Sequence, residues 1–173
     1  MKKALLIFTS LAIFLAAQVT TAQMAKKDIV DIAVATDDFS TLVTALQAAD
    51  LVSTLQGDGP FTVFAPVNSG FAKIDSNTLN SLLQPENKDA LAGILTYHVV
   101  AGKLTATDVV NALNAGNGSA TLTTLNGAKL MAKKKDDGIY LKDQNGNYSK
   151  IAQTDVMASN GVIHIIEDVV MPK

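Results

Sequence analysis

Two histidines, 16 acidic residues and no cysteine set the chemical limits of this 173-residue chain. Imidazole exchanges protons near neutral pH and is the commonest metal ligand, so His98 and His164 come first. Each lies in an apolar run that reads as a strand, Tyr97-His98-Val99-Val100 and Val162-Ile163-His164-Ile165-Ile166. Neither belongs to a His-x-x-x-His or His-Glu pair at ligand spacing. Their Val and Ile neighbours predict burial, and a buried imidazole has to be hydrogen-bonded. Without cysteine there is neither a thiol nucleophile nor a thiolate metal site.

The remaining chemistry is equally sparse. Ser69-Gly70 and Asn117-Gly118-Ser119-Ala120 do not form the Gly-x-Ser-x-Gly elbow of a serine hydrolase. There is no phosphate loop and no dinucleotide fingerprint. Asp37-Asp38 and Asp136-Asp137 are adjacent acids, and neighbours on a strand point to opposite faces, so neither pair makes a catalytic dyad. Asp143-Gln144-Asn145-Gly146-Asn147 carries oxygen ligands but not the alternating acids ending in Glu of a calcium loop. The expectation is a chain with no catalytic residues, no cofactor and no metal.

The elements that must carry these residues change along the chain. Helical spacing dominates from Asp28 to about Leu113. Ile29, Ile32 and Ala33 form one stripe; Leu42, Val43, Leu46 and Ala49 form a second, with Ser40 as its expected N-cap. Leu79, Leu82 and Leu83 form a third, and Leu91, Ile94 and Leu95 a fourth that opens near Pro85 or Asn87. Thr105 or Thr107 is placed to cap a short helix through Val109, Val110 and Leu113. Phe61 to Ala65, between Gly59-Pro60 and Pro66, reads as a strand. From Ala120 onward the pattern is β, punctuated by Asn126-Gly127, Asp137-Gly138, Asn145-Gly146-Asn147 and Asn160-Gly161. Helices first and hairpins second give an α+β class in one domain.

Three segments carry a family resemblance. Gly59 to Phe71 (GPFTVFAPVNSGF), Ile94 to Lys103 (ILTYHVVAGK) and Asn160 to Pro172 (NGVIHIIEDVVMP) resemble the first box, the Tyr-His motif and the second box of the fasciclin domain. The likeness spans residues 28–172 in the family's order and separation. Gly70 and Glu167 depart from it, where the family usually has a larger residue and often an Asp. The resemblance implies a β-wedge of two packed sheets with a helical layer contributed mainly by the N-terminal half. It implies adhesion by binding cell-surface, extracellular-matrix or biofilm-matrix molecules, without catalysis. In animal members, integrin recognition is attributed to an Asp-Ile pair just before the second box and to the Tyr-His motif. Asp155-Val156 and Tyr97-His98 occupy those places, which makes Asp155, Val156, Tyr97 and His98 the candidate partner-binding residues. Within the boxes, Asn68 is expected to cap the short turn containing Phe71, which Gly70 loosens, and Asn160 to form a turn.

Composition bounds the setting. Met1-Lys2-Lys3, an apolar run to Ala17 and Thr20-Thr21-Ala22 follow the order of a secretory signal peptide, residues 1–22. The run is shorter than the roughly 20 residues that span a bilayer. The expected location is secreted or periplasmic, with no membrane span after cleavage. The mature chain would carry 12 lysines, no arginine and 16 acids, a poor match to nucleic acid. Lys133-Lys134-Lys135 runs into Asp136-Asp137 and reads as a solvated hairpin end. Asn117 and Asn147 head formal glycosylation sequons in turn-like settings. A polysaccharide-binding envelope stress protein and a hydrolase with an unrecognised site are the alternatives to an adhesion module.

Overall fold

The computed structural model describes residues 27–173; the expected leader, residues 1–22, lies outside them. Three of the helices start at a capping side chain of their own N-cap residue. Before α1 (Ile29–Val34), the Asp28 carboxylate accepts from the Asp31 N–H while Asp31 accepts from that of Asp28. Thr105 and Asp108 make the same reciprocal pair before α7 (Ala106–Ala115). Between them come α2 (Ser40–Ala48), α3 (Val52–Leu55), α4 (Asn68–Phe71), α5 (Ser76–Leu82) and α6 (Lys88–Tyr97). Asp75 caps α5, and a tight 3-10 turn at Pro85–Asn87 leads into α6.

The strands are β1 (Phe61–Pro66), β2 (Val99–Ala101), β3 (Ser119–Thr123), β4 (Lys129–Lys135), β5 (Gly138–Lys142), β6 (Tyr148–Ala158) and β7 (Gly161–Ile166). They form one mixed seven-stranded sheet in the order β2-β1-β7-β6-β5-β4-β3. All pairs are antiparallel except β1 with β7. A single bridge, Val100 with Thr124, brings the two edges together, so the sheet is nearly closed into a barrel. This replaces the expected wedge of two separate sheets. The 11-residue β6 is the reason: residues 148–150 pair with β5 and residues 151–158 with β7, so one strand serves both halves.

Two cores lie on opposite sides of β1 and β7, which are buried on both faces. Alternation sends Val63 and Ala65 toward α1, α2 and α6, where they meet Ile29, Phe39, Leu46 and Leu95. Phe64 points the other way, into a cluster with Tyr97, Leu113, Leu130, Leu141 and Ile166. The fold is therefore α+β, with helices concentrated in the N-terminal half and α7 plugging the barrel side.

Candidate functional site

Tyr97 and His98 are not on a strand. Tyr97 is the last residue of α6, and His98 is its C-cap. The apolar period of α6, Leu91 and Leu95, continues at helical spacing into His98, and that outweighs the strand preference of the Tyr-His-Val-Val run. Tyr97 is 0% and His98 2% exposed. The Tyr97 hydroxyl donates to the Lys129 carbonyl at 3.0 Å, tying α6 to β4. His98 Nδ1 lies 2.8 Å from the Ile94 carbonyl, one of the acceptors left over at the end of a helix, and therefore donates to it. His98 Nε2 accepts the Val170 N–H at 3.1 Å. The ring thus clamps the end of α6 to the C-terminal segment. Burial disfavours the imidazolium and lowers the His98 pKa to about 4; the bond to Ile94 opposes this only partly. Tyr97 and His98 consequently present no surface to a partner.

His164 is likewise built into the fold. Its Nε2 lies 2.7 Å from the Leu104 carbonyl, its Nδ1 accepts from the Asp155 N–H at 3.3 Å, and its ring stacks on Phe64 with centroids 5.5 Å apart. Asp155 sits at an irregularity of β6, between the Gln153 and Val156 pairings, with a left-handed φ of 60°. Asp tolerates that region better than most residues. The twist aims its carboxylate at α7: Oδ1 accepts the Ala106 N–H at 2.8 Å, at the positive end of the helix. His164 and Asp155 therefore secure the entry to α7 jointly. Val156 is partly buried against the helical-side core. Asp155 and Val156 share the β6 irregularity, whereas Tyr97 is buried on the barrel side of the sheet.

The box asparagines have a role that local rules missed. Asn68 does not cap its own helix, whose N-cap is Val67. Its Oδ1 accepts the Thr41 N–H at 3.0 Å, and its Nδ2 donates to the Asp37 carbonyl and the Ser40 hydroxyl. Asn68 is thus the cap of α2, and Ser40, expected to be that cap, is the first helical residue. Asn160 accepts the Ile29 N–H at 3.1 Å and donates to the carbonyls of Leu55 and Gly57. With Asp155, three short polar side chains following β1, on β6 and before β7 pin α2, α7 and α1. Gly70 does not loosen α4 but permits packing: a Cβ there would lie 2.6 Å from the Glu167 carbonyl oxygen.

Asp143 accepts from the N–H groups of Asn145, Asn147 and Met171 and from the Asn147 amide, at 2.8–3.2 Å. Its oxygens are committed to shaping the turn. Asn147 is therefore a turn residue in this fold, and Asn117 holds a left-handed φ of 51°. One exposed feature was absent from the sequence reading. Met157 is 51% exposed beside an open groove lined by Lys27, Ile32, Lys103 and Ser159. A broken alternation around Asp155 was its only signal.

A fasciclin-domain sequence profile matches residues 37–172. The chain belongs to the fasciclin domain family. Protein sll1483 of Synechocystis is 47% identical over 144 residues, 83% of this chain and 73% of that protein. Transforming growth factor-beta-induced protein ig-h3 of Sus scrofa is 35% identical over 144 residues, again 83% of this chain but 19% of the larger protein. The FAS1 domain pair of the insect cell adhesion molecule fasciclin I shares the fold at a TM-score of 0.57 and 19% identity, covering 75% of this chain and 43% of that one. The fasciclin fold thus accounts for the three boxes as structural parts. No helix among the described residues is long and apolar enough to cross a membrane.

Proposed function

We propose that this fasciclin domain is exported and acts as a non-catalytic adhesion or binding module toward a cell-surface or matrix partner, with its contact edge at the β6 irregularity. The observation that carries the reading is the state of Asp155. One oxygen caps α7, and among the described residues Oδ2 has no hydrogen-bond partner. That carboxylate oxygen, two residues before the half-exposed Met157 on β6, offers one directed contact on a strand that also exposes apolar area. The adhesion role of fasciclin I supports the class of function. Val156 would shape the edge from beneath, and Tyr97 and His98 would act only by holding the frame.

The test is Asp155→Asn, since asparagine keeps an acceptor for the Ala106 N–H and tolerates positive φ while losing the charge. Wild type and variant are immobilised and exposed to envelope material of the producing cells, with thermal melts run in parallel. Retention lost at an unchanged melting temperature supports the edge. Full retention, or a loss explained by unfolding, removes Asp155 from the site.

A further inference from the structure

The outward face of β4, β5 and β6 carries a pattern that the fold does not need. Pairing sets Lys133, Tyr140 and Lys150 in one row across the three strands, and Met131, Lys142 and Tyr148 in the next. The intervening residues Leu130, Ala132, Leu141 and Ser149 point inward and are buried. Residues 129–150 hold six lysines against three aspartates, in a chain that elsewhere has eight lysines against 13 acids. Adjacent like charges on a sheet face destabilise it. Among the described residues only Lys150 of this face has a carboxylate partner, Asp137 at 3.1 Å. Lys133, Lys135 and Lys142 have none.

The two tyrosines make the array rigid. Their rings meet edge to face at 6.5 Å, and the Lys135 ammonium sits 3.8 Å from the Tyr148 centroid and 4.5 Å from that of Tyr140. Lys142 lies 5.6 Å from the Tyr148 ring. A cation held over an aromatic face is attracted by its quadrupole. Tyr140 in turn donates to Asp137 at 2.7 Å, the carboxylate that holds Lys150. Three ammonium groups, those of Lys135, Lys142 and Lys150, are thus positioned on an open sheet before any partner arrives, with Lys133 in the same row as Tyr140 and Lys150, and Tyr148, 40% exposed, stands among them.

We propose that this face binds an acidic polysaccharide, its carboxylates on Lys133, Lys135, Lys142 and Lys150 and its sugar rings against Tyr148. Charge complementarity selects a polyanion, because unpartnered cations clustered on an otherwise acidic protein gain most from one. Strand spacing of about 4.8 Å, and about 6.6 Å between same-side residues on a strand, repeats the cations in two directions, which suits an extended polymer lying on the face. The chain has no arginine, the residue that grips phosphate bidentately, and this disfavours nucleic acid. The face carries no exposed large aliphatic side chain for insertion into a lipid surface. The site lies apart from the Asp155 edge, so either can fail without the other.

Polygalacturonate serves as the probe, with neutral dextran, single-stranded DNA and vesicles of phosphatidylglycerol and phosphatidylcholine as comparisons. Binding is measured calorimetrically on the full mature chain in 50 mM and 300 mM NaCl. Saturable binding to polygalacturonate that weakens with salt, and none to dextran, is expected. Lys133→Gln/Lys142→Gln should weaken it roughly tenfold with an unchanged melting temperature. Lys73→Gln/Lys88→Gln, which removes two lysines elsewhere, should leave it intact. Tyr148→Ala should weaken it, whereas Tyr148→Phe should not. The proposal is overturned if polygalacturonate does not bind, or if both lysine pairs weaken binding equally. Equal affinity for DNA or for anionic vesicles would also overturn it, showing a general cation surface.

Discussion

Lowering the pH should destabilise this domain through His98, and the size of the effect follows from its burial. The folded state holds the imidazole neutral, with a pKa near 4, because burial opposes the charge. An unfolded histidine titrates near 6.5. Between these values the unfolded chain binds more protons than the folded one, so stability falls as pH falls through that window. From pH 7.5 to 5 the linkage amounts to about 2 kcal/mol, and it approaches about 3 kcal/mol below pH 4.5. For a domain of this size, 2 kcal/mol corresponds to a melting-temperature drop of roughly 4–8 °C. The assay is chemical denaturation of the mature chain at pH 7.5, 6 and 5, beside His98→Gln, which cannot titrate. The wild type should lose about 2 kcal/mol more than the variant over this range. The difference isolates His98 from other titrating groups. Equal pH dependence in the two proteins would refute the reasoning and would mean that the ring is accessible to water.

Other outcomes follow from the same contacts. Asn68→Ala should cost about 1–3 kcal/mol in denaturant melts, and Asn68→Asp less, since it keeps the acceptor for Thr41. Gly70→Ala should destabilise by about 1–3 kcal/mol, because its Cβ would meet the Glu167 carbonyl at 2.6 Å; an unchanged melt would mean the two backbones can separate freely. Asp155→Ala should cost about 0.5–2 kcal/mol through loss of the α7 cap, more than Asp155→Asn. Intact mass of the exported protein should show Gln23 as its first residue; a mass that includes Met1 would exclude cleavage.

Much of this architecture was legible because it is local. Thr105 and Asp108 announce α7 within four residues, and Phe61 to Ala65 is bracketed by its breakers. Asn126-Gly127, Asp137-Gly138 and Asn160-Gly161 mark three of the turns, with φ of 83° at Gly127 and 151° at Gly138. Contacts made at a distance were not legible. Asn68 reaches back 27 residues to Thr41, and Asn160 reaches back 131 to Ile29. A rule that examines only the adjacent turn misassigns Asn68, and for Asn160 it finds the turn but not the contact with α1. His98 was misplaced because aromatic and β-branched neighbours favour a strand, whereas packing of Leu91 and Leu95 extends the helix up to it. The single sheet was hidden in β6, where the left-handed Asp155 breaks the alternation by which a long strand is read. The lysine–tyrosine face was concealed by reading Lys133-Lys134-Lys135 as one charge run, although successive residues of a strand face opposite ways, so that Lys133 and Lys135 share a face that Lys134 does not.

The central claim is that the residues able to do chemistry are consumed in holding the fold. Long-range nitrogen–proton NMR of the two imidazole rings at pH 7 tests it most directly. Because His98 Nδ1 faces the Ile94 carbonyl and Nε2 faces the Val170 N–H, its proton should reside on Nδ1. The His164 proton should reside on Nε2, facing the Leu104 carbonyl. Single, opposite tautomers in the two rings are the predicted result. Averaged tautomers, or a His98 ring that protonates near pH 6.5, would contradict the account and return that histidine to the list of groups free to act on a ligand.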